Sequence, residues 1–228
     1  MKVGLTVDAA GTPDQFKTFL NILNDFGIKS TFFIGVGIQS DLVKLIYKNG
    51  HEIGSHTYTH PVSFLNLNLQ EKELEIKSSH LWLLNILNEE FKEAKIKGFR
   101  APYYNFDSDI PKILEKIQYV WDSTKAYFPI LNSHFKVEKL GKIIELPSLF
   151  PDDSTQINRL GLTENQVLKI WKKSYDLSTD TFIWGIHPYI ITKNLDRIKM
   201  IRDFIEYIIE KNGKFLHLSE IATDLLNK

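Results

Sequence analysis

The sequence predicts an α/β protein, a distorted parallel (β/α)7–8 barrel folded as a single domain over residues 1–228. Three observations point there. Short apolar runs alternate with stripes of helical period, the reactive side chains recur just after the predicted strands, and the length suits one barrel core. A doubly wound open sheet is the structural alternative.

Val3–Val7 reads as a buried strand, followed by a helix with Phe16, Phe19, Leu20, Leu23 and Phe26 on one stripe and Gly27 as its stop. The unit recurs as strand Ser30–Ile34, helix Asp41–Asn49 closed by Gly50, strand Glu52–Ser55 and a long helix within Asn68–Asn88. Next come strand Ile96–Phe99, a helix around Ile110–Ile117, strand Tyr119–Trp121 and strand Ile143–Leu146. Thr163-x-x-Gln166 is a capping box that opens a helix to about Ser178. Strand Thr181–Ile186, a helix with Ile198, Ile201, Ile205 and Ile208 inward, and strand Lys214–Leu218 finish the chain. Asn132 to Asn158 lacks clear periodicity and is expected to supply loops around the site.

Lysine and arginine balance aspartate and glutamate at 28 each, so a nucleic-acid partner is not expected. No cysteine is present, which leaves histidine and carboxylate as the strong metal donors. The first residues run straight into a strand without a charged leader, no apolar run is long enough to span a membrane, and the expected location is cytoplasmic. A homo-oligomer is compatible with the sequence.

Asp8, His56, Arg100, Asp122 and His187 each follow a predicted strand, and a parallel barrel gathers such positions at one mouth. His56-Thr57-Tyr58-Thr59-His60 has the spacing that on one helical turn directs two imidazoles to one side, and Pro61 stops it. Taken alone, such a pair is more often structural; its place at a strand end favours metal, with Asp8 completing a two-histidine, one-carboxylate set. Without metal, Asp8 would serve as a cap for the following turn. His187 could protonate a leaving amine or simply bond to backbone. Arg100 and Asp122 could pair, tuning a neighbouring base or forming an ordinary ion pair.

At these residues the chain resembles the polysaccharide deacetylase family, the NodB-homology enzymes of carbohydrate esterase family four. Ser30-Thr31-Phe32-Phe33, Gly50-His51-Glu52-Ile53-Gly54-Ser55-His56-Thr57-Tyr58-Thr59-His60 and Arg100-Ala101-Pro102-Tyr103 carry the likeness, with Asp122 and Ile186-His187-Pro188 as looser matches. Glu145-Leu146-Pro147, Asp152-Asp153, Trp171 and His187-Pro188 are similar to the allantoinase-like and peptidoglycan-deacetylase-like branch. The resemblance implies a divalent metal ion, zinc first and cobalt, nickel or manganese as alternatives, held by Asp8, His56 and His60. It further implies His187 as general acid, the Tyr103 backbone N–H as an oxyanion donor, and Arg100 and Asp122 as tuning residues.

The first motif departs from the family. Where T-F-D-D or D-V-D would place two acids, this chain has Thr6-Val7-Asp8-Ala9-Ala10. One alignment makes Asp8 the ligand and Thr6 the lost base; the other makes Asp8 the base and Ala9 the lost ligand. The first is preferred, because two histidines with a carboxylate form a usable facial site. Asp14 or Asp152 could substitute for the missing acid. His51, His80, His134 and His217 are assigned structural or surface roles, and most of Trp82, Trp121, Trp171 and Trp184 are expected in the core.

The expected function is therefore metal-dependent hydrolysis of a non-peptide amide C–N bond, most readily deacetylation of a small-molecule or oligosaccharide N-acetyl substrate. The alternatives are a degenerate homologue that binds a carbohydrate or metabolite without turnover, and a cyclic-amide hydrolase of allantoinase or imidase type.

Overall fold

The computed structural model describes residues 1–131 and 135–226. In chain order, the first half comprises β1 (Lys2–Asp8), α1 (Pro13–Asp25), β2 (Thr31–Ile34), α2 (Ser40–Lys48), β3 (Glu52–Ser55), α3 (Leu69–Asn88), β4 (Gly98–Phe99), α4 (Asp109–Lys116) and β5 (Trp121–Asp122). The second half is less regular: β6 (Ala126–Tyr127), β7 (Glu138–Leu140), β8 (Ile143–Glu145), β9 (Ser148–Leu149), α5 (Glu164–Asp176), β10 (Thr181–Ile186), α6 (Pro188–Ile191), α7 (Leu195–Glu210), β11 (Lys214–Phe215) and α8 (Leu218–Leu226).

Helix starts follow from local chemistry. Thr12, Asn68 and Thr163 each accept from the backbone three residues on, while Gln15, Glu71 and Gln166 reach back to the cap N–H. Each helix then presents its apolar stripe to the sheet; α7, for example, buries Met200, Ile201, Phe204, Ile205 and Ile208. Ile198 sits at the margin of that stripe, packed against the core but only partly buried.

The strands run in the order β6-β9-β10-β1-β2-β3-β4-β5-β8-β7, with β11 added to β1. Neighbours are parallel except for the β7–β8 hairpin. The sheet curls into a half-barrel whose path ends on β6 and β7, and β8 and β9, the strands next to those ends, do not pair with each other. Leu146-Pro147 lies between them, and a proline supplies no N–H to a ladder. The predicted barrel is therefore present, with a seam in the region where the sequence lost its periodicity.

The chain's end differs from expectation. The last strand stops at Phe215, and Leu218 opens α8, which buries Leu218, Ile221 and Ala222. Its first N–H groups bond to Thr31 Oγ1 and Glu52 Oε2, at the N-terminal ends of β2 and β3. Together with Phe33, Trp121, Ile144, Leu146 and Ile183 these side chains plug the lower interior with hydrocarbon. The opposite, C-terminal end is left for polar groups.

Gly98 shows how tightly that interior is filled. A Cβ there would lie 1.9 Å from Trp121 Cζ2, and the indole is fully buried with its edge toward Phe33. Gly98→Ala is expected to destabilise the protein by about 1–3 kcal/mol through overpacking, read as a lower midpoint in urea at unchanged slope.

Candidate functional site

A cleft of about 440 Å³ opens at the C-terminal strand ends, lined by Asp8, His56, His60, Tyr103, Tyr104, Asp152 and His187 among others. Asp8 ends β1, and its Oδ1 accepts from Arg100 Nη1 at 2.8 Å. The guanidinium is wholly buried and uses its other donors on Thr6 Oγ1 at 2.9 Å, the Ser123 carbonyl at 3.0 Å and Ser123 Oγ at 2.9 Å. It also lies 4.2 Å over the Phe33 ring. Burial alone would raise the Asp8 pKa, but Arg100, then His56 and His187, bring it down to about 2. Asp8 is therefore ionised, with one oxygen committed to Arg100.

The expected Arg100–Asp122 ion pair does not form. Asp122 is turned away, accepting from Thr124 Oγ1 at 2.5 Å and facing its β8 neighbour Glu145. Both carboxyls are fully buried, and burial pushes Asp122 up to about 6 and Glu145 well above its usual range. Such a pair keeps a proton between its members. Asp122 does not line the cleft; its reach is indirect, through Thr124 Oγ1, which accepts from the Ala101 N–H at 2.9 Å.

His56 follows β3. Its Nδ1 lies 2.8 Å from the Arg100 carbonyl, which can only accept, so Nδ1 carries the hydrogen and Nε2 keeps a lone pair. Burial lowers its pKa to about 4 against the pull of Asp8, and burial lowers His60 as well, so both imidazoles are neutral near pH 7. The two rings meet edge to face at 5.0 Å, and His60 meets Tyr103 at 5.2 Å.

Their proximity does not come from a helical turn. Residues 56–60 form a bent loop with left-handed φ at Thr57 (63°) and His60 (54°). Glu75 of α3 clamps this loop, accepting from the Tyr58 and Thr59 N–H groups at 2.9 and 2.8 Å and from Thr59 Oγ1 at 2.7 Å. No sequence motif singled out Glu75, because a carboxylate on a helix face reads as solvated surface.

His187 follows β10, as expected, and its partner is Asp153. Nδ1 lies 2.6 Å from Asp153 Oδ1, and the His187 backbone N–H donates to Oδ2 at 2.9 Å. Burial would lower the histidine, but Asp153, then Asp8 and Asp152, raise it to about 9. Asp153 is fully buried, and burial pushes its own carboxyl up against His187, so the dyad retains its proton at neutral pH. With Nδ1 occupied, Nε2–H remains as the available donor.

Other expectations resolve simply. Tyr103 lies at the cleft with φ 57°, followed by Tyr104 at 56°, two consecutive non-glycine residues in the left-handed region. His51 packs on Phe32 and bonds Ser30, His80 meets Tyr119 Oη, and His217 donates to the Gly50 carbonyl. His134 lies outside the described residues. None of the four tryptophans lines the cleft. Asp14 is on α1, outside the lining, whereas Asp152 is part of it.

One ionised carboxylate and two neutral imidazoles, Asp8, His56 and His60, are chemically suited to a divalent ion, and the free Nε2 of His56 is the form a metal takes. Their donor atoms line the cleft without converging tightly. The trio that does converge, within 4.8 Å among the described residues, is Asp152, Asp153 and His187. Nδ1 of that imidazole is spent on Asp153, and the same carboxylate favours the protonated ring, so a proton competes there with a metal for the remaining nitrogen. The fit favours the first set.

Residues 1–121 match the family model described as polysaccharide deacetylase. A chitin deacetylase of Arthroderma benhamiae is 31% identical over 123 residues, which are 51% of this chain and 32% of that protein. The chain spans about a third of the length of the curated relatives it matches. A Mycobacterium smegmatis structure described as a polysaccharide deacetylase superposes with a TM-score of 0.78 at 20% identity, over 98% of this chain and 89% of that one. The Puue allantoinase superposes with a TM-score of 0.78 at 13% identity, over 97% and 88%. At these identities the superpositions establish the fold, the same curled β/α barrel. The family match covers more than half of the chain, including Asp8, His56, His60, Arg100 and Tyr103, and the chain belongs to the polysaccharide deacetylase family.

Proposed function

We propose that this chain hydrolyses a non-peptide amide, removing an acyl group from the nitrogen of an N-acetylated sugar or related metabolite. The observation that carries the reading is a pair of oppositely poised dyads in one cleft: Asp8 held ionised by Arg100, and His187 held protonated by Asp153. One group is held as an anion suited to a cation and the other as a proton donor, two different tasks in one reaction.

In this reading Asp152, the cleft carboxylate not given to Arg100, takes a proton from water as the water oxygen adds to the amide carbonyl, and the C–N bond then breaks. His187 Nε2–H gives its proton to the departing nitrogen, and the Tyr103 N–H receives the developing oxyanion. Arg100 fixes the carboxylate of Asp8, and the His56 tautomer is fixed by the Arg100 carbonyl. Asp8, His56 and His60 would hold a divalent ion, zinc by its preference for such donors, and that ion would supply Lewis acidity. Asp122 is a positioning residue, acting through Thr124 on the Arg100–Ala101 backbone.

A test combines metal content with turnover. Protein purified without chelators is expected to carry near-stoichiometric metal, lost in His56→Ala, and to release acetate from N-acetyl sugars. Silence of a metal-loaded sample across N-acetyl sugars and cyclic amides would overturn the reading. The loss of an acid at Thr6 or Ala9 favours a second reading, binding without turnover. It predicts sugar binding that survives His187→Ala with no acetate released by either protein.

A further inference from the structure

The chain has four arginines, and three are occupied: Arg100 on Asp8, Arg197 on Glu164 and Arg202 on Asp25. Arg159 is different. Among the described residues it is the one lysine or arginine that lines the cleft, and no carboxylate lies within 4.0 Å of it.

The backbone that carries Arg159 is firmly held. It closes the turn Thr155–Arg159, whose start is pinned by Thr155 N–H to Asp152 Oδ1 at 2.7 Å and by Gln156 Nε2–H to the Pro151 carbonyl at 2.5 Å. The turn's far end is tied by the Leu160 N–H to the Thr155 carbonyl at 3.0 Å. Asp153, two residues before that turn, grips His187. The backbone of Arg159 is therefore placed relative to the proton donor, and its exposed side chain is free to reach into the cleft mouth. Ser154 and Thr155 line the same cleft, the Ser154 hydroxyl lying 3.3 Å from Tyr189 Oη and accepting from Asn158 Nδ2 at 3.5 Å.

A guanidinium presents a planar fork of donors that matches carboxylate and phosphate oxygens, and flanking hydroxyls extend such a set. We propose that Arg159, with Ser154 and Thr155, binds an oxyanion of the substrate, so that the N-acyl compound this cleft takes carries a carboxylate or a phosphate. This rests on the amide-hydrolase reading for the scissile group. It makes a neutral sugar polymer a poorer ligand than a small anionic sugar, because the neutral ligand leaves the arginine with water alone.

The experiment is calorimetric binding of three probes: N-acetylglucosamine, N-acetylglucosamine 6-phosphate and N-acetylglucosaminuronic acid. They are titrated into the metal-loaded wild type, Arg159→Gln and Arg159→Lys. In the wild type at least one anionic probe is expected to bind about tenfold more tightly than the neutral sugar, the low end of a charge-assisted hydrogen bond's contribution. The two anionic probes show whether phosphate or carboxylate is preferred. Arg159→Gln is expected to abolish the preference while leaving the neutral sugar's affinity unchanged, and Arg159→Lys to keep part of it. Equal binding of all three probes, no binding of any, or a preference that survives Arg159→Gln overturns the proposal. An anionic preference lost in Arg159→Gln without acetate release from any probe supports it and counts against the hydrolase reading instead.

Discussion

Arg100→Met is expected to destabilise the protein by about 3–5 kcal/mol, the cost of leaving a buried charge without its partner. The guanidinium is fully buried and spends its donors on Asp8, Thr6 and Ser123. Methionine fills much of the volume and supplies none of these bonds. Asp8 would then face burial with only histidines to offset it, and its carboxyl would climb from about 2. The sign of the pH dependence follows. A carboxylate depressed in the folded state contributes stability that is present above its unfolded value near 3.8 and is lost as pH falls through about 2. In Arg100→Met that acid-side loss should disappear from urea midpoints measured between those pH values. Adding Asp8→Asn to Arg100→Met should recover part of the stability, because it removes the stranded charge. A loss of less than about 1 kcal/mol, within the range of exposed pairs, would mean that the pair is not the buried anchor described here.

Arg100 also shows what sequence reasoning reached and what it did not. Its position after a strand put it at the right mouth, as it did Asp8, His56 and His187, because strand ends are a local property of apolar runs. Its partner lies 92 residues away across the barrel, and nothing local distinguished Asp8 from Asp122. The histidine pair was found for a partly wrong reason. Its spacing suggested a helical turn, whereas two left-handed residues and the Glu75 clamp bring the rings together. Within Asn132 to Asn158 the apolar run Ile143–Leu146 marks β8, but β7 and β9, of three and two residues, are too short for periodicity, and Leu218 continues an apolar run that hides the start of α8. Asp152-Asp153 was visible as a motif, but which of the two would turn inward to His187 depends on a turn that only the folded chain defines.

That inward turn carries the second large effect. Asp153→Asn is expected to lower kcat by about 10²–10⁴-fold, the contribution of a positioned general acid. Asp153 accepts three N–H groups at once: His187 Nδ1 at 2.6 Å, the His187 backbone at 2.9 Å and the Ser154 backbone at 2.8 Å. Asparagine keeps one acceptor oxygen and points an NH₂ at a donor that previously met a carboxylate. The imidazolium then loses the main opposition to burial, so its pKa falls from about 9 toward or below the ordinary 6.5. A general acid works while protonated, so the alkaline limb of the kcat profile should begin near pH 9 in the wild type and move acidward by pH units in the variant. A purely structural role for Asp153 would lower the melting temperature and scale the whole profile down without displacing that limb. An unmoved limb in folded Asp153→Asn would therefore remove His187 from the role of proton donor, and with it the dyad on which the amide-hydrolase reading rests.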